Sequence, residues 1–138
     1  MSLESEMREI LVGDAGVSAV VGTRIYPFQR EEDSALPAIV YRSTMENPQQ
    51  SLRSEVDLSE TIVEYECIAA TIAAAKSLAE LVRQALAGTS GAIGDIPHGA
   101  IRHTHSKSSF FDPFDGSAEG LFSEIVEFTV MYRTPSLA

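Results

Sequence analysis

The chain reads as an α+β domain: a mainly antiparallel sheet of four to five strands with helices packed on one face. Two observations carry this. From Thr61 to Ala69, Val63, Tyr65, Cys67 and Ala69 alternate with Glu64 and Glu66, the period-two mark of a half-buried strand. At Thr71 the period changes, and Ile72, Ala75, Ala79, Val82 and Leu86 fall on one helical face, broadened by Leu78 and Leu81. Lys76, Glu80, Arg83 and Gln84 take the opposite face, Thr71 has the chemistry of an N-cap, and Gly88 that of a stop. A strand passing directly into an amphipathic helix means a sheet covered by that helix.

The other elements follow in order. Glu4 to Val12 reads as a helix on Met7, Ile10 and Leu11, broken at Gly13-Asp14. Asp14 caps a short second turn through Val17, Val20 and Val21, and Gly22 ends it. Arg24 to Phe28 is a short strand whose Pro27 suits a sheet edge. Pro37 to Thr44 is a strand with Ile39 and Tyr41 on one face and Val40 and Arg42 on the other. Met45 to Asp57 is polar and carries Pro48, as a long loop or extended hairpin tip would. Gly88 to Gly94 reads as a flexible connection, Ala100 to Ser106 as a strand, Lys107 to Gly120 as a second long loop, and Leu121 to Arg133 as the last strand. Residues 1–138 contain no repeat or linker, so one domain is expected, with residues 1–3 given no weight because they have the character of an appended leader.

Composition removes several functions. Apolar residues make up 44% of 138, too many for a disordered chain, and no run of about 18 apolar residues points to a membrane span. The acidic start is not that of a secretory signal. Twenty acids against ten bases give a net charge of −10, which disfavours binding to nucleic-acid phosphate. Cys67 is the single cysteine; it shares a face with Val63 and Tyr65 and is expected to be a buried structural thiol.

Few residues suggest chemistry. His98, His103 and His105 cluster, and a His-x-His pair on a regular strand puts both rings on one face, as some zinc sites need. A third ligand would come from His98, Asp112 or Asp115, which leaves open a metal-dependent hydrolase. No HExxH, paired-cysteine, Gly-x-Ser-x-Gly or phosphate-cradle motif supports it. Glu64 and Glu66 share a face that is expected to be solvated. A small ligand-binding or regulatory module is the other alternative, and it requires an enclosed apolar pocket where Leu78, Val82, Phe128 and Val130 would otherwise pack. Phe110, Phe111 and Phe114 place three rings in the second long loop, an unusual exposure unless a partner covers them. With Leu52 and Arg53 in the first long loop, they are the candidate interaction residues.

Two motifs point to a family. Val17-Ser-Ala-Val-Val21-Gly22-Thr23-Arg24-Ile25-Tyr26-Pro27 is followed by Leu36-Pro37-Ala38-Ile39-Val40-Tyr41, then a strand entering an alanine-rich helix at Tyr65 to Leu86, and a final Phe128-Thr-Val130-Met-Tyr132-Arg133. The order resembles the tail-completion, or tail-terminator, proteins of long-tailed phages and prophages. The resemblance implies a structural, non-catalytic protein without cofactor or metal. It implies a ring, often of six copies, on the head-proximal end of the tail tube, contacting the tube protein and the head connector. The chain would sit in the virion neck, after assembly in the host cytoplasm, with DNA passing through the ring without specific binding and no membrane involved.

Overall fold

The computed structural model describes residues 3–28, 35–49, 57–93, 96–111 and 121–134. They form α1 (Leu3–Gly13), α2 (Ala15–Val21), β1 (Ile25–Pro27), β2 (Ala38–Gln49), β3 (Asp57–Ala69), α3 (Ile72–Leu86), β4 (Ser90–Ile93), β5 (Ile96–Phe111) and β6 (Leu121–Thr134). The six strands make one sheet in the order β1-β2-β3-β6-β5-β4, and the three helices pack on one another and on its inner face. The α+β class is as expected. The strand count is six rather than four to five, and the sheet is mixed, because β1 runs parallel to β2.

The central strand and helix form as their periodicity dictates. Val63, Tyr65 and Cys67 point inward and are buried, while Glu64 and Glu66 point outward. Thr71 caps α3 by accepting from the Ala74 amide at 3.1 Å, and Ala75, Leu78, Ala79, Val82 and Leu86 bury its inner stripe. Ile72, in the first turn of α3, is the exception at 36% exposed. Leu78, Val82, Phe128 and Val130 fill the space between helix and sheet, so the enclosed pocket required by a ligand-binding module is occupied by side chains. A chain of rings crosses the inner face: Tyr41 to Tyr65 at 6.1 Å, Tyr65 to Phe128 at 5.8 Å and Phe128 to His103 at 5.8 Å between centroids. Such tilted and edge contacts add to the burial of each ring.

The first family motif is architectural. Asp14 accepts from the Val17 amide at 3.0 Å and starts α2; Gly22, at φ 58, ends it in a conformation that glycine adopts without strain. Arg24 then donates to the Val20 carbonyl at 2.9 Å and the Pro37 carbonyl at 3.0 Å, tying the end of α2 to the start of β2. Arg8 of α1 donates to the Ile25 and Thr23 carbonyls at 3.2 and 3.3 Å. Two guanidinium groups thus hold β1 in place.

Three expectations are corrected. Gly88 to Gly94 is not merely a connection: β4 lies within it, anchored by fully buried Ile93 and paired to β5 through an irregularity at Gly91, whose φ is 95. Gly99 lies against it, and a Cβ there would meet Ile93 Cδ1 at 2.5 Å, so that the Ile93 side chain would have to shift. The two long loops are shorter than expected, because β2 continues to Gln49, β3 begins at Asp57 and β5 continues to Phe111. The sequence of these segments has no regular polar–apolar alternation, and pairing to β3 and β6 forms the strands. Replacing Phe128 by Ala is expected to cost about 3–5 kcal/mol in urea unfolding, and Ile72→Ala under about 0.5 kcal/mol.

Candidate functional site: sheet edges and outer face

Among the described residues the inner face is filled by side chains, and the open surfaces include the outer sheet face, the strand edges and two shallow grooves. On the outer face, transverse rows follow from the pairing. Arg42, Glu64, Glu127 and His105 form one row across β2, β3, β6 and β5; Val40, Glu66, Ile125 and Lys107 form the next. Arg42 bridges two carboxylates, at 3.2 Å to Glu66 and 3.8 Å to Glu64. Glu64 and Glu127 lie directly opposite one another, a like-charge pair that Arg42 offsets from one side. The carboxylates are therefore a partly neutralised surface rather than an acid–base pair.

His103 and His105 do not share a face. His103 pairs with Phe128 and His105 with Glu127, so Thr104 is an extra residue in β5, a β-bulge. The bulge reverses the parity of the strand. His103 stays on the inner side, against Phe128 and 2.8 Å from the Ser106 hydroxyl, while His105 goes to the outer face. The expectation that both rings share a face is thereby overturned. Among the described residues no group of three His, Cys, Asp or Glu side chains is placed to hold a metal. Asp112 and Asp115 lie outside the described residues, and of His98 only the backbone is described.

One groove, of about 190 Å³, lies between α3 and β5–β6 and is lined by Lys76, Ala79, Glu80, Arg83, Ser106, Glu124 and Val126. Its carboxylates are engaged: Glu80 accepts from Arg83 and Gln84, and Glu124 from Ser108. The Arg83 hydrogen bond holds Glu80 below the usual carboxylate range. The other groove, of about 280 Å³, lies beside β1 and is lined by Glu4, Ser5, Pro27, Phe28, Tyr41, Arg42 and Ser43. Phe28 borders it at 72% exposure and φ 64, held there by its amide donating to the Tyr41 carbonyl at 2.9 Å. Sequence reasoning missed Phe28, whose signal was an aromatic residue directly after the Pro27 that ends an edge strand.

The two segments leave the described sheet at opposite ends. Gln49 pairs with Leu58 at one end, and Phe111 with Leu121 at the other. Phe110 and Phe111 belong to the β5 backbone, not to a loop; Phe114, Leu52 and Arg53 lie outside the described residues. Cys67 is buried, and burial pushes its thiol well up, with Glu124 and Glu66 adding to the effect. The expected structural thiol is what the fold contains.

The chain matches the family described as "Tail completion protein gp17" over residues 5–132. It belongs to that family. The tail-completion family is one of phage structural proteins that serve virion assembly, as the motifs implied. The fold is also that of a chain in the virion of a native gene transfer agent (GTA) particle, at a TM-score of 0.69 and 17% identity, covering 96% of each chain. No curated protein matches. Among the described residues no helix is long and apolar enough to cross a membrane.

Two outcomes are expected from these sites. Arg42→Gln leaves Glu64, Glu66 and Glu127 without their cation and costs about 1 kcal/mol in low-salt unfolding, a loss that shrinks near 1 M salt. Tyr65 is the second test, since its hydroxyl is buried with no hydrogen-bond partner among the described residues. Burial pushes Tyr65 and Cys67 up while the unfolded chain ionises at its ordinary values, near 9.0 for the thiol and 10.0 for the phenol. The unfolded state therefore loses protons first, so stability is intact below about pH 9 and falls as pH rises beyond it. Thermal unfolding from about pH 8 to 11 should show that decline, and Tyr65→Phe with Cys67→Ala should flatten it.

Proposed function

We propose that this chain caps the head-proximal end of the tail tube as a ring of copies, with six as the working number, and offers the joining face for the head connector. The family match over residues 5–132 carries the reading. The geometry supports it. A ring requires two different surfaces that meet head to tail and close, and this sheet has different edges on its two sides and a hairpin at each end. An acidic ring of chains at −10 each would let DNA pass without sticking to its wall. The location implied is the virion neck, reached after assembly in the host cytoplasm.

The test is co-assembly with the tail-tube protein encoded alongside it, followed by electron microscopy. Tubes polymerised with this chain should be capped at one end and stop lengthening. Tubes of unchanged length, with no chain bound to their ends, would contradict the reading.

A further inference from the structure

β4 covers only the first part of the β5 edge. Its pairing spans Ile96 to Ala100, and the last lateral bonds are from Ile101 to Thr89 and from Gly88 to Ile101. From Arg102 to Phe111 the outer side of β5 has no strand beside it among the described residues. On the opposite side of the sheet, β1 covers only Ile39 to Tyr41 of β2, so Arg42 to Gln49 is bare in the same sense. Long exposed edges are templates for strand addition unless something blocks them.

The backbone directions can be read from the bonds present. The Ile101 amide and carbonyl face outward, and so does His103 two residues on. The Thr104 bulge shifts the alternation by one, so the outward set continues as Ser106, Ser108 and Phe110. None of these is proline, and the four amides have no partner strand. On β2, Ile39 and Tyr41 face outward; beyond the Thr44 bulge the outward set becomes Glu46 and Pro48. Pro48 thus sits where its missing N–H disturbs no bond to β3.

We propose that the bare edge of β5 pairs with the bare edge of β2 on a second copy, so that neighbouring subunits share one continuous sheet. This rests on the ring reading above and supplies its contact. Four observations favour it. β2 runs antiparallel to β5 within the sheet, so a copy related by rotation about the strand direction presents β2 antiparallel to β5. The lengths agree, eight residues against ten. The β5 stretch carries exposed Arg102, His105 and Lys107 and no acid, whereas the β2 stretch carries Glu46 together with Arg42 and so is not cationic on balance. The β5 charge also disfavours the alternative of β5 pairing with β5, which sets cations against cations.

The fourth observation is the stagger. Glu46 lies level with Val130, through Thr61, whereas Ser106 lies level with Val126 and Ser108 with Glu124. Pairing Glu46 with Ser106 or Ser108 therefore steps the next copy by four or six residues, roughly 13–20 Å. At that step β4 of one copy and β1 of the next clear each other. Across four strands of about 4.8 Å spacing the slope is about 35–45°, the tilt at which strands close into barrels. β2 contributes full bonding at Ser43 and Glu46 and a carbonyl at Pro48.

The test is proline substitution at outward and inward positions. Ser106→Pro and Ser108→Pro remove outward amides and should leave the folded monomer intact while weakening self-association by about tenfold or more per interface. Ser108→Ala controls for the lost hydrogen bond to Glu124. Lys107→Pro, whose amide faces β6, should instead damage the fold. Hydrogen exchange on the assembled wild-type chain should show protection appear at His103, Ser106, Ser108 and Phe110 together with Ser43 and Glu46. Rings that form undiminished in both serine variants would overturn the shared sheet while leaving the ring reading standing. Protection on β5 without protection on β2 would overturn it in favour of another partner strand. A wild-type chain that never assembles, alone or on tubes, would overturn both.

Discussion

Burial of one sheet face beneath α3 is the constraint from which the rest follows. Val63, Tyr65 and Cys67 on β3 and Val126, Phe128 and Val130 on β6 are buried with Ala75, Leu78, Val82 and Leu86 of α3. Large inward side chains at every second position bring most of the hydrophobic stabilisation, at about 1.5–3 kcal/mol for each fully buried Leu, Val or Phe. They also spend the interior. Among the described residues, the surfaces that remain open are the outer face, the edges and the ends of the sheet.

The family motifs serve the same constraint. Arg24 binds two carbonyls that belong to different elements, and Gly22 makes the turn that aims it. Ile39 and Tyr41 enter the core, while Val40 and Arg42 form the outer face. Neither motif builds a pocket. Both help fix β1 against the start of β2, so a signature read for recognition has a structural content: it sets the shape of an edge.

Much of this was legible in the residues. The alternation in β3 and β6, the caps Thr71 and Asp14, and the two faces of β2 are as their spacing dictates, because burial on one side imposes a strict period. The departures share a cause. Thr44 and Thr104 insert one residue each and reverse strand parity, and nothing in a single sequence marks a bulge at a threonine. This is why His103 and His105 part company. β4 hides in a glycine-rich stretch because one residue, Ile93, anchors it. The ends of β2 and β5, Met45 to Gln49 and Lys107 to Phe111, show no regular polar–apolar alternation and read as loops, although neighbouring strands hold them extended. Segments without a period are where tertiary pairing decides, and here they are also where the proposed contacts lie.

The most direct measurement is an electron cryomicroscopy map of the intact particle at the junction of head and tail. The account predicts a closed ring of this chain seated on the last ring of the tail tube, its sheets joined edge to edge around the circumference. Particles in which the chain is absent from that junction, or present there only as separate copies bound through the helical layer, would contradict it.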